Sequence, residues 1–398
     1  MAKKAATKKE TSTTKPASKK KPVKKVTPKK QKEDIKASNV KLKSGEGFEM
    51  SFGIPATEYR ILPKKNDAAF WQAVLATEGF AKGKIYEVAG KSDVGKSAIC
   101  ANWVGQFQSL GEKGFLVDGE RAMSQDFAKT IGLDSEKLML ARPEYGEAGF
   151  FALKQILTQY GGEVGYLDST ASMKPKAQVQ EDKKDMASGA RLASDKMPVI
   201  ETLVHQQKAT LFLISQIKEK PGVTFGNPEY IAGGAAYGYH SRVRMTVSSV
   251  AAEKDKKTGQ REGYTFRIKV TKNHTGPKRT RPFDMLVDNL FRPRWTETAV
   301  AWALSFGLVD ETNKTICGIP FSGAITKKNL GKAIAGQESL VFESAHALMQ
   351  AEENKTPVND YETQKDTSIG SEAEVADESG NSGGFNTIDI LDDEVDDD

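Results

Sequence analysis

A glycine-rich stretch, EVAGKSDVGKSAI, has the residue types and the spacing of a phosphate-binding loop. Four residues separate its first glycine from a Gly-Lys-Ser triplet. In such a loop the backbone N–H groups cradle a β-phosphate, the lysine reaches the β- and γ-phosphates, and the serine hydroxyl binds Mg²⁺. A plain glycine-rich connector is the alternative, but the strand-like run before the loop and the helix-like run after it disfavour that interpretation. The residues expected to contact a nucleotide are Gly90, Lys91, Ser92, Asp93, Val94, Gly95, Lys96 and Ser97.

Polar residues end three other apolar runs of the sequence. Asp168 ends VGYLD and is expected to help hold Mg²⁺, because a phosphate-loop site needs a second acidic group for the metal. Glu120 ends GFLVDGE and is a candidate to orient or deprotonate an attacking water, with Asp118 as a rival two residues earlier. Gln216 closes TLFLISQ, where its amide is placed to contact a γ-phosphate. For Asp168 alone, the alternative is a structural cap at the end of the strand.

A long loop follows Gln216 and carries residue types that suit nucleic acid. The segment IKEKPGVTFGNPEYIAGGAAYG is basic, contains Pro and Gly, and lacks helical or strand periodicity. Lys218 and Lys220 are candidates to bind phosphates, and Phe225 or Tyr230 to stack on bases. A loop that leaves a nucleotide-sensing strand is suited to act as a switch. A surface lid without a nucleic-acid role is the alternative.

The apolar patterns between residues 44 and 295 predict an α/β fold. Short, nearly continuous apolar runs such as EVGYLDS and ATLFLISQ fit a parallel sheet that is buried on both faces. Ligands of such sheets bind at the carboxyl ends of the strands. After Gly238, the alternating segments RVRMTVSSV and EGYTFRIKVTKN predict an antiparallel hairpin appended to the sheet.

The charge is distributed unevenly along the 398 residues, whose net charge is +5. Residues 1–43 hold sixteen Lys and three acidic residues, and residues 371–398 hold eleven acidic residues and no Lys or Arg. Charged segments with so little to bury are predicted to be disordered. The predicted organisation is a Lys-rich arm at 1–43, a core at 44–295, a small, mainly helical C-terminal subdomain at 296–354 and an acidic tail at 355–398.

Several classes of protein are disfavoured by the composition. The two cysteines, Cys100 and Cys317, form neither a disulfide framework nor the spacing of a metal site. No apolar run approaches the roughly 18 residues that a membrane span needs, and the N-terminus lacks the apolar region of a secretory signal. We therefore expect a reducing, cytoplasmic environment and no membrane partner.

From about residue 79 to residue 275 the chain resembles the bacterial RecA and phage RecA-like recombinases. The segment VDGERAMSQDFAKTIGLDSEKLMLARPEYGE resembles the one that carries the family's catalytic glutamate, and LDSTASMKPKA resembles its Mg²⁺-side strand. The segment ISQIKEKPGVTFGNPEYIAGGAAYGYHSRVRM is similar to its second DNA-binding loop, and VTKNHTG to the stretch whose lysines reach a neighbouring subunit's ATP. The resemblance implies a RecA-like P-loop ATPase core with a central, mainly parallel sheet.

The resemblance also implies roles for individual residues of the nucleotide site. Glu120 aligns with the family's catalytic glutamate. The resemblance therefore implies only a structural or water-positioning role for Asp118. It makes Gln216 a γ-phosphate sensor and sets the Phe127 ring against the adenine. It makes Lys272 a lysine that acts on the ATP of the neighbouring subunit. The residues implied to be catalytic are Glu120, Lys96 and Gln216.

Two DNA-binding loops are implied by the same resemblance. The first spans about residues 174–189, with Met186 and Arg191 as expected contacts. The second spans about residues 217–234. Its expected contacts are Lys218, Lys220, Phe225, Gly233 and Gly234.

The chain departs from the family's pattern at several positions. His274 and Gly238 stand where the family has lysines, so less positive charge is expected to reach across a subunit interface. The first DNA loop is about two residues shorter, and the N-terminal polymerisation helix is not recognisable. The C-terminal segment matches poorly. These differences suggest a phage protein or an otherwise remote member.

The function implied is that of a recombinase that depends on ATP and Mg²⁺. It would form a helical homo-oligomeric filament on single-stranded DNA and pair it with homologous duplex DNA, in recombination and repair. Loader or single-strand-binding proteins are then expected as partners, in the cytoplasm of a bacterium or of a phage-infected host. The alternatives left open are a RecA-like hexameric helicase, a DNA-dependent ATPase without strand exchange, and a DNA-binding protein with a decayed ATPase site.

Overall fold

The chain divides into two compact units, Met1–Thr57 and Glu58–Asp398. The computed structural model describes the backbone of residues 42–45, 48–50, 54–180, 187–219, 229–254 and 259–355. In the first unit, β1 (Leu42–Gly45) and β2 (Phe48–Met50) form an antiparallel pair. The tails that the sequence predicts to be disordered lie almost wholly outside the described residues.

A nine-stranded, mainly parallel sheet forms the centre of the second unit. Its order is β13-β12-β11-β5-β9-β8-β6-β7, with β10 paired to β9. The pairs from β11 to β7 are parallel, whereas β12, β13 and β10 pair in antiparallel fashion. The predicted α/β fold with its appended hairpin is therefore confirmed. The strands are β5 (Lys84–Gly90), β6 (Gly114–Asp118), β7 (Met139–Ala141), β8 (Val164–Asp168), β9 (Thr210–Glu219), β10 (Glu229–Ile231), β11 (Val243–Lys254), β12 (Arg261–Asn273) and β13 (Phe283–Asp288).

Helices alternate with these strands and cover both faces of the sheet. Ser124 begins α3 by accepting the Phe127 N–H with its hydroxyl, and Gly132 ends that helix in the left-handed conformation. In the described part of the chain, no helix is long and apolar enough to cross a membrane. The helices are α1 (Lys65–Leu75), α2 (Lys96–Ser109), α3 (Gln125–Ile131), α4 (Gly146–Gln155), α5 (Lys176–Gln180), α6 (Ser188–Gln206), α7 (Ala235–His240), α8 (Trp295–Ser305), α9 (Lys327–Ile334) and α10 (Glu338–Lys355).

The central strands are buried because side chains pack against both of their faces. All residues of β6 and β8 are buried, and a Cβ at Gly165 would come within 2.3 Å of the Phe115 carbonyl oxygen. On one face, the Phe212 ring of β9 lies edge-on to Phe80, with centroids 5.2 Å apart, and 4.8 Å from the ring of Trp103. This aromatic cluster joins β9 to α2, the helix that follows the phosphate loop, and so holds the two parts of the site together.

The segment after β13 packs on the same hydrophobic core as α1. Trp302 of α8 and Phe342 of α10 both contact Phe70 of α1, with ring centroids 5.0 and 5.5 Å apart. The predicted subdomain thus contributes side chains to the core of the larger unit, and the domain boundaries read from the sequence stay predictions. The short strands are β3 (Tyr59–Arg60), which pairs with β4 (Phe80–Ala81), and the small sheet of β14 (Val309–Asp310), β15 (Thr315–Ile316) and β16 (Ile319–Pro320).

We expect Phe212→Ala to lower the free energy of unfolding by about 3–5 kcal/mol, because it removes a fully buried ring and leaves a cavity. The matched control is Phe151→Ala, since that ring of α4 is 63 % exposed, and a change within about 0.5 kcal/mol is expected there. Urea unfolding followed by circular dichroism measures both variants. Equal losses would contradict the place of Phe212 in the core.

Candidate nucleotide-binding site

The phosphate loop joins β5 to α2, and two of its glycines lie where a larger side chain would clash with neighbouring atoms. A Cβ at Gly90 would lie 2.4 Å from the Val247 carbonyl oxygen, and one at Gly95 would lie 2.6 Å from the Phe266 ring. Gly95 also has a φ of +75°, which favours glycine. No side chain caps the N-terminus of α2, so its first backbone N–H groups are available to an anion. The loop thus leaves the start of α2 open to an anion, and its role in phosphate binding stays a prediction.

The two side chains predicted to be functional at the end of the loop are held by hydrogen bonds. Lys96 Nζ donates to the Lys91 carbonyl oxygen at 2.5 Å, and Ser97 Oγ donates to Asp168 Oδ2 at 2.6 Å. Burial lowers the pKa of the Lys96 ammonium, and the nearby carboxylates of Asp168 and Glu120 offset part of that effect. Lys96 thus lies beside the two acidic groups that the sequence selected.

Asp168 carries a buried charge that lacks full compensation. The pKa of this carboxyl is raised to about 6, mainly by burial and also by the neighbouring charges of Glu120 and Asp118, while the hydrogen bond from Ser97 opposes the shift. A hydroxyl and a carboxylate at hydrogen-bond distance are oxygen ligands of the kind that Mg²⁺ takes in nucleotide sites, where phosphates and waters complete its coordination. Ser97 and Asp168 therefore fit a Mg²⁺ ion, whose charge would neutralise the buried carboxylate.

Glu120 lies beside the ends of β6 and β8 and beside Gln216 of β9. The expectation that Gln216 closes its strand is wrong, because β9 continues to Glu219 by pairing with β10. Its carboxylate accepts hydrogen bonds from the Ser169 hydroxyl and, at 2.8 Å, from Gln216 Nε2. Its backbone N–H donates to the Asp168 carbonyl oxygen. Gln216 in turn is the register partner of Gly90, the first residue of the phosphate loop. The parallel sheet thus brings the candidate base, the candidate sensor and the phosphate loop to one edge.

Asp118, the rival of Glu120, has a different environment. It is buried, accepts the Ala122 N–H at 3.2 Å and lies 3.3 Å from Arg142 Nε. The first contact fixes the chain that follows β6, and Arg142 also donates to the Met123 carbonyl oxygen of that segment at 2.8 Å. This geometry suits the structural role that the family resemblance leaves to Asp118.

The other residues predicted to bind a nucleotide lie at the rim of the site or away from it. Ser92 and Asp93 are exposed in the loop, Val94 is buried in the core, and the half-buried Phe127 packs in the first turn of α3. Lys272 Nζ donates to the carbonyl oxygens of Gly238 and Tyr239, at 3.0 and 3.1 Å. These described bonds of Lys272 go to α7, not to the phosphate loop of the same chain.

The structure gives a physical reason for the glycine at position 238. A Cβ there would lie only 1.3 Å from Arg244 Nη2, so the Arg244 guanidinium fills the space of a side chain. Arg244 Nε donates to the buried Glu87 at 2.6 Å, and the other Glu87 oxygen accepts from Ser215 at 2.8 Å. The sequence motifs do not predict this ion pair between the half-buried Arg244 and the buried Glu87. The glycine at position 238, where the family has a lysine, is the one feature of the sequence that points to this pair. The positive charge expected to be lost at that position is accompanied by the Arg244 guanidinium, which occupies the space beside Gly238.

The candidate DNA-binding residues are only partly within the described residues. Arg191 is exposed on α6, Lys218 is exposed on β9 opposite Tyr230, and Gly233 and Gly234 have φ values of +102° and +97°. The backbone N–H of Ala232, next to these glycines, donates to the Gln216 carbonyl oxygen at 2.8 Å. Three predicted contacts lie outside the described residues, namely Met186, Lys220 and Phe225.

We expect Asp168→Asn to raise the free energy of unfolding by about 1–3 kcal/mol at pH 7.5, because it removes a buried charge. A carboxyl whose pKa rises to about 6 on folding destabilises the fold progressively as the pH increases from about 4 to 6. The gain should therefore vanish near pH 4. Urea unfolding in EDTA at both pH values measures it, and a pH-independent difference would contradict the buried charge.

Comparisons with known proteins agree with this geometry. The family model of the RecA N-terminal domain matches residues 30–290. Protein RecA of Bacillus licheniformis is 30 % identical over 256 residues, which cover 64 % of this chain and 73 % of that protein. Protein RecA of Aquifex aeolicus is 29 % identical over 252 residues, which cover 63 % of this chain and 72 % of that protein. The resemblance inferred from the motifs is confirmed, and this chain belongs to the RecA family.

Proposed function

We propose that this protein is a DNA-dependent ATPase that forms filaments on single-stranded DNA and pairs it with homologous duplex DNA. Membership of the RecA family supports a RecA-like recombinase or ATPase in general. The observation that carries the finer proposal is the contact between Glu120 and Gln216 beside the phosphate loop. One bond joins the candidate base to the strand that continues into the candidate DNA loop.

The proposed reaction is hydrolysis of ATP to ADP and phosphate. Glu120 orients the attacking water and accepts its proton, and Lys96 compensates the charge that develops on the γ-phosphate. Ser97 and Asp168 would hold Mg²⁺, which supplies further positive charge to the phosphates. The Ser169 hydroxyl fixes one oxygen of Glu120, so the base keeps its orientation without losing its charge.

Gln216 is proposed to report the γ-phosphate to the candidate DNA loop. Its side chain binds Glu120, and its carbonyl oxygen holds Ala232 at the far end of the same loop. A phosphate that takes the Gln216 amide away from Glu120 therefore acts on the strand that carries Lys218. By linkage, DNA bound to that loop changes the affinity for ATP by the same factor that ATP changes the affinity for DNA.

The proposed nucleic-acid contacts and subunit contacts follow the sequence expectations. The DNA contacts are Met186, Arg191, Lys218, Lys220, Phe225, Gly233 and Gly234. In a filament, Lys272 would reach the ATP of the neighbouring subunit, and Phe127 would lie against the adenine. Loader or single-strand-binding proteins are the proposed partners. Because phosphate contacts dominate such binding, DNA affinity should fall steeply with salt.

ATP hydrolysis should be stimulated by single-stranded DNA, and Lys96→Ala should abolish it, because it removes the ammonium expected to reach the β- and γ-phosphates. Turnover with and without DNA, together with electron microscopy of the DNA complex, tests the proposal. Helical filaments and strand exchange are the expected result. Rings that unwind forked duplexes without strand exchange would indicate a hexameric helicase, and filaments without strand exchange would indicate an ATPase of narrower function.

Glu120→Gln should lower kcat by about 10²–10⁴-fold, because the amide cannot accept the proton, while ATP affinity changes by no more than a few fold. The matched control Glu136→Gln removes an exposed carboxylate after α3 and should leave kcat unchanged. Single-turnover hydrolysis and nucleotide titration separate the two effects. A normal kcat in Glu120→Gln would mean that another group acts as the base. Asp118→Asn would then be the next variant to measure.

A further inference from the structure

Lys91 connects the phosphate loop to both strands that flank the candidate second DNA loop. Its Nζ lies 2.6 Å from Glu219 Oε1 and 3.1 Å from Glu229 Oε1. Glu219 is the last residue of β9, and Glu229 is the first residue of β10. Residues 220–228 between them lie outside the described residues. One ammonium therefore bridges the two points where that segment enters and leaves the sheet.

The two carboxylates need a cation at this position. Glu219 and Glu229 are register partners in the antiparallel β9–β10 pair, and like charges directly opposite each other destabilise a sheet. The hydrogen bond from Lys91 lowers the pKa of Glu219, and the bonds to Glu219 and Glu229 raise the pKa of Lys91. The phosphate loop thus supplies, through Lys91, a positive charge opposite Glu219 and Glu229.

The backbone of Lys91 faces the other way, toward the nucleotide site. Its carbonyl oxygen accepts the hydrogen bond from Lys96 Nζ. Lys96 is the residue expected to reach the β- and γ-phosphates. When its ammonium turns to a phosphate, the Lys91 carbonyl loses its donor, and the peptide that carries the Lys91 side chain is free to move. A continuous chain of contacts therefore runs from Lys96 through Lys91 to Glu219 and Glu229.

We propose that Lys91 is a positioning residue that couples phosphate binding to the hairpin formed by Glu219 and Glu229. The inference rests on the proposed function, because it needs a nucleotide at the loop and DNA at the hairpin. It adds an electrostatic link to the contact between Gln216 and Glu120. Lys91 and the two carboxylates are all largely exposed, so the bridge can break and form without disturbing the core.

The experiment measures how much single-stranded DNA changes nucleotide affinity. The dissociation constant of a fluorescent, slowly hydrolysed ATP analogue is titrated with and without a single-stranded oligonucleotide, and the ratio is the coupling factor. The double variant Glu219→Gln, Glu229→Gln should reduce this factor by about threefold to tenfold, because exposed ion pairs are individually weak. The matched control is the double variant Glu136→Gln, Glu311→Gln, which removes two exposed carboxylates elsewhere.

A second pair of variants tests the cation itself. Lys91→Arg keeps a charge that can bridge both carboxylates and should retain most of the coupling, whereas Lys91→Met should lose it. In the wild type, the part of the coupling factor that depends on Lys91 should also decrease at high salt, because exposed ion pairs are screened. A purely structural bridge would lower the melting temperature of the variants and leave the coupling factor unchanged.

The outcomes separate this inference from the proposed function. Normal coupling in a folded Glu219→Gln, Glu229→Gln variant would overturn the role of Lys91 and leave the DNA-dependent ATPase intact. A wild-type protein whose nucleotide affinity does not respond to DNA would overturn the proposed function and, with it, this link. Reduced coupling in the double variant and in Lys91→Met, with coupling retained in Lys91→Arg and in the control, would support the inference.

Discussion

The parallel pairing of β5, β9, β8 and β6 is the constraint on which the rest of the site depends. Because these strands run in the same direction, their carboxyl ends meet at one edge of the sheet. Asp118 becomes the register partner of Asp168, and Gly90 that of Gln216. The pairing of the strands thus places residues that are far apart in the sequence next to one another. The aromatic cluster around Phe212 then holds α2 against one face of this sheet.

Convergence of strand ends also concentrates charge. Three carboxyl groups lie close together. Lys96 lies near Asp168 and Glu120, and Arg142 near Asp118, yet the buried Asp168 is left with a raised pKa. Such a site is poorly compensated by its own side chains. A Mg²⁺ ion and the donors of the phosphate loop would restore the balance of charge together with a polyphosphate. The uncompensated charge of the protein alone would therefore favour binding of a charged ligand at this site.

The same edge is connected to the hairpin that follows β9 by two kinds of contact. One is short and polar, from Glu120 through Gln216 to the backbone of Ala232. The other is ionic and exposed, from Lys91 to Glu219 and its partner on β10. A hydrogen bond depends on exact positions, whereas an ion pair acts over a longer range and is sensitive to salt. Under the proposed function, two links of different physical character would connect one hairpin to the presence of phosphate.

The sequence by itself determined the phosphate loop, the alternating strands and helices, the appended hairpin and the polar residues at the strand ends. These features depend on local spacing and periodicity, which a single sequence displays. Only the tertiary structure decided that Glu120 contacts Gln216 while Asp118 holds Arg142, that Arg244 fills the space beside Gly238, and which carboxylates bind the loop lysine. Each of these contacts joins residues on different elements, so it follows from strand order and packing, which local patterns do not contain.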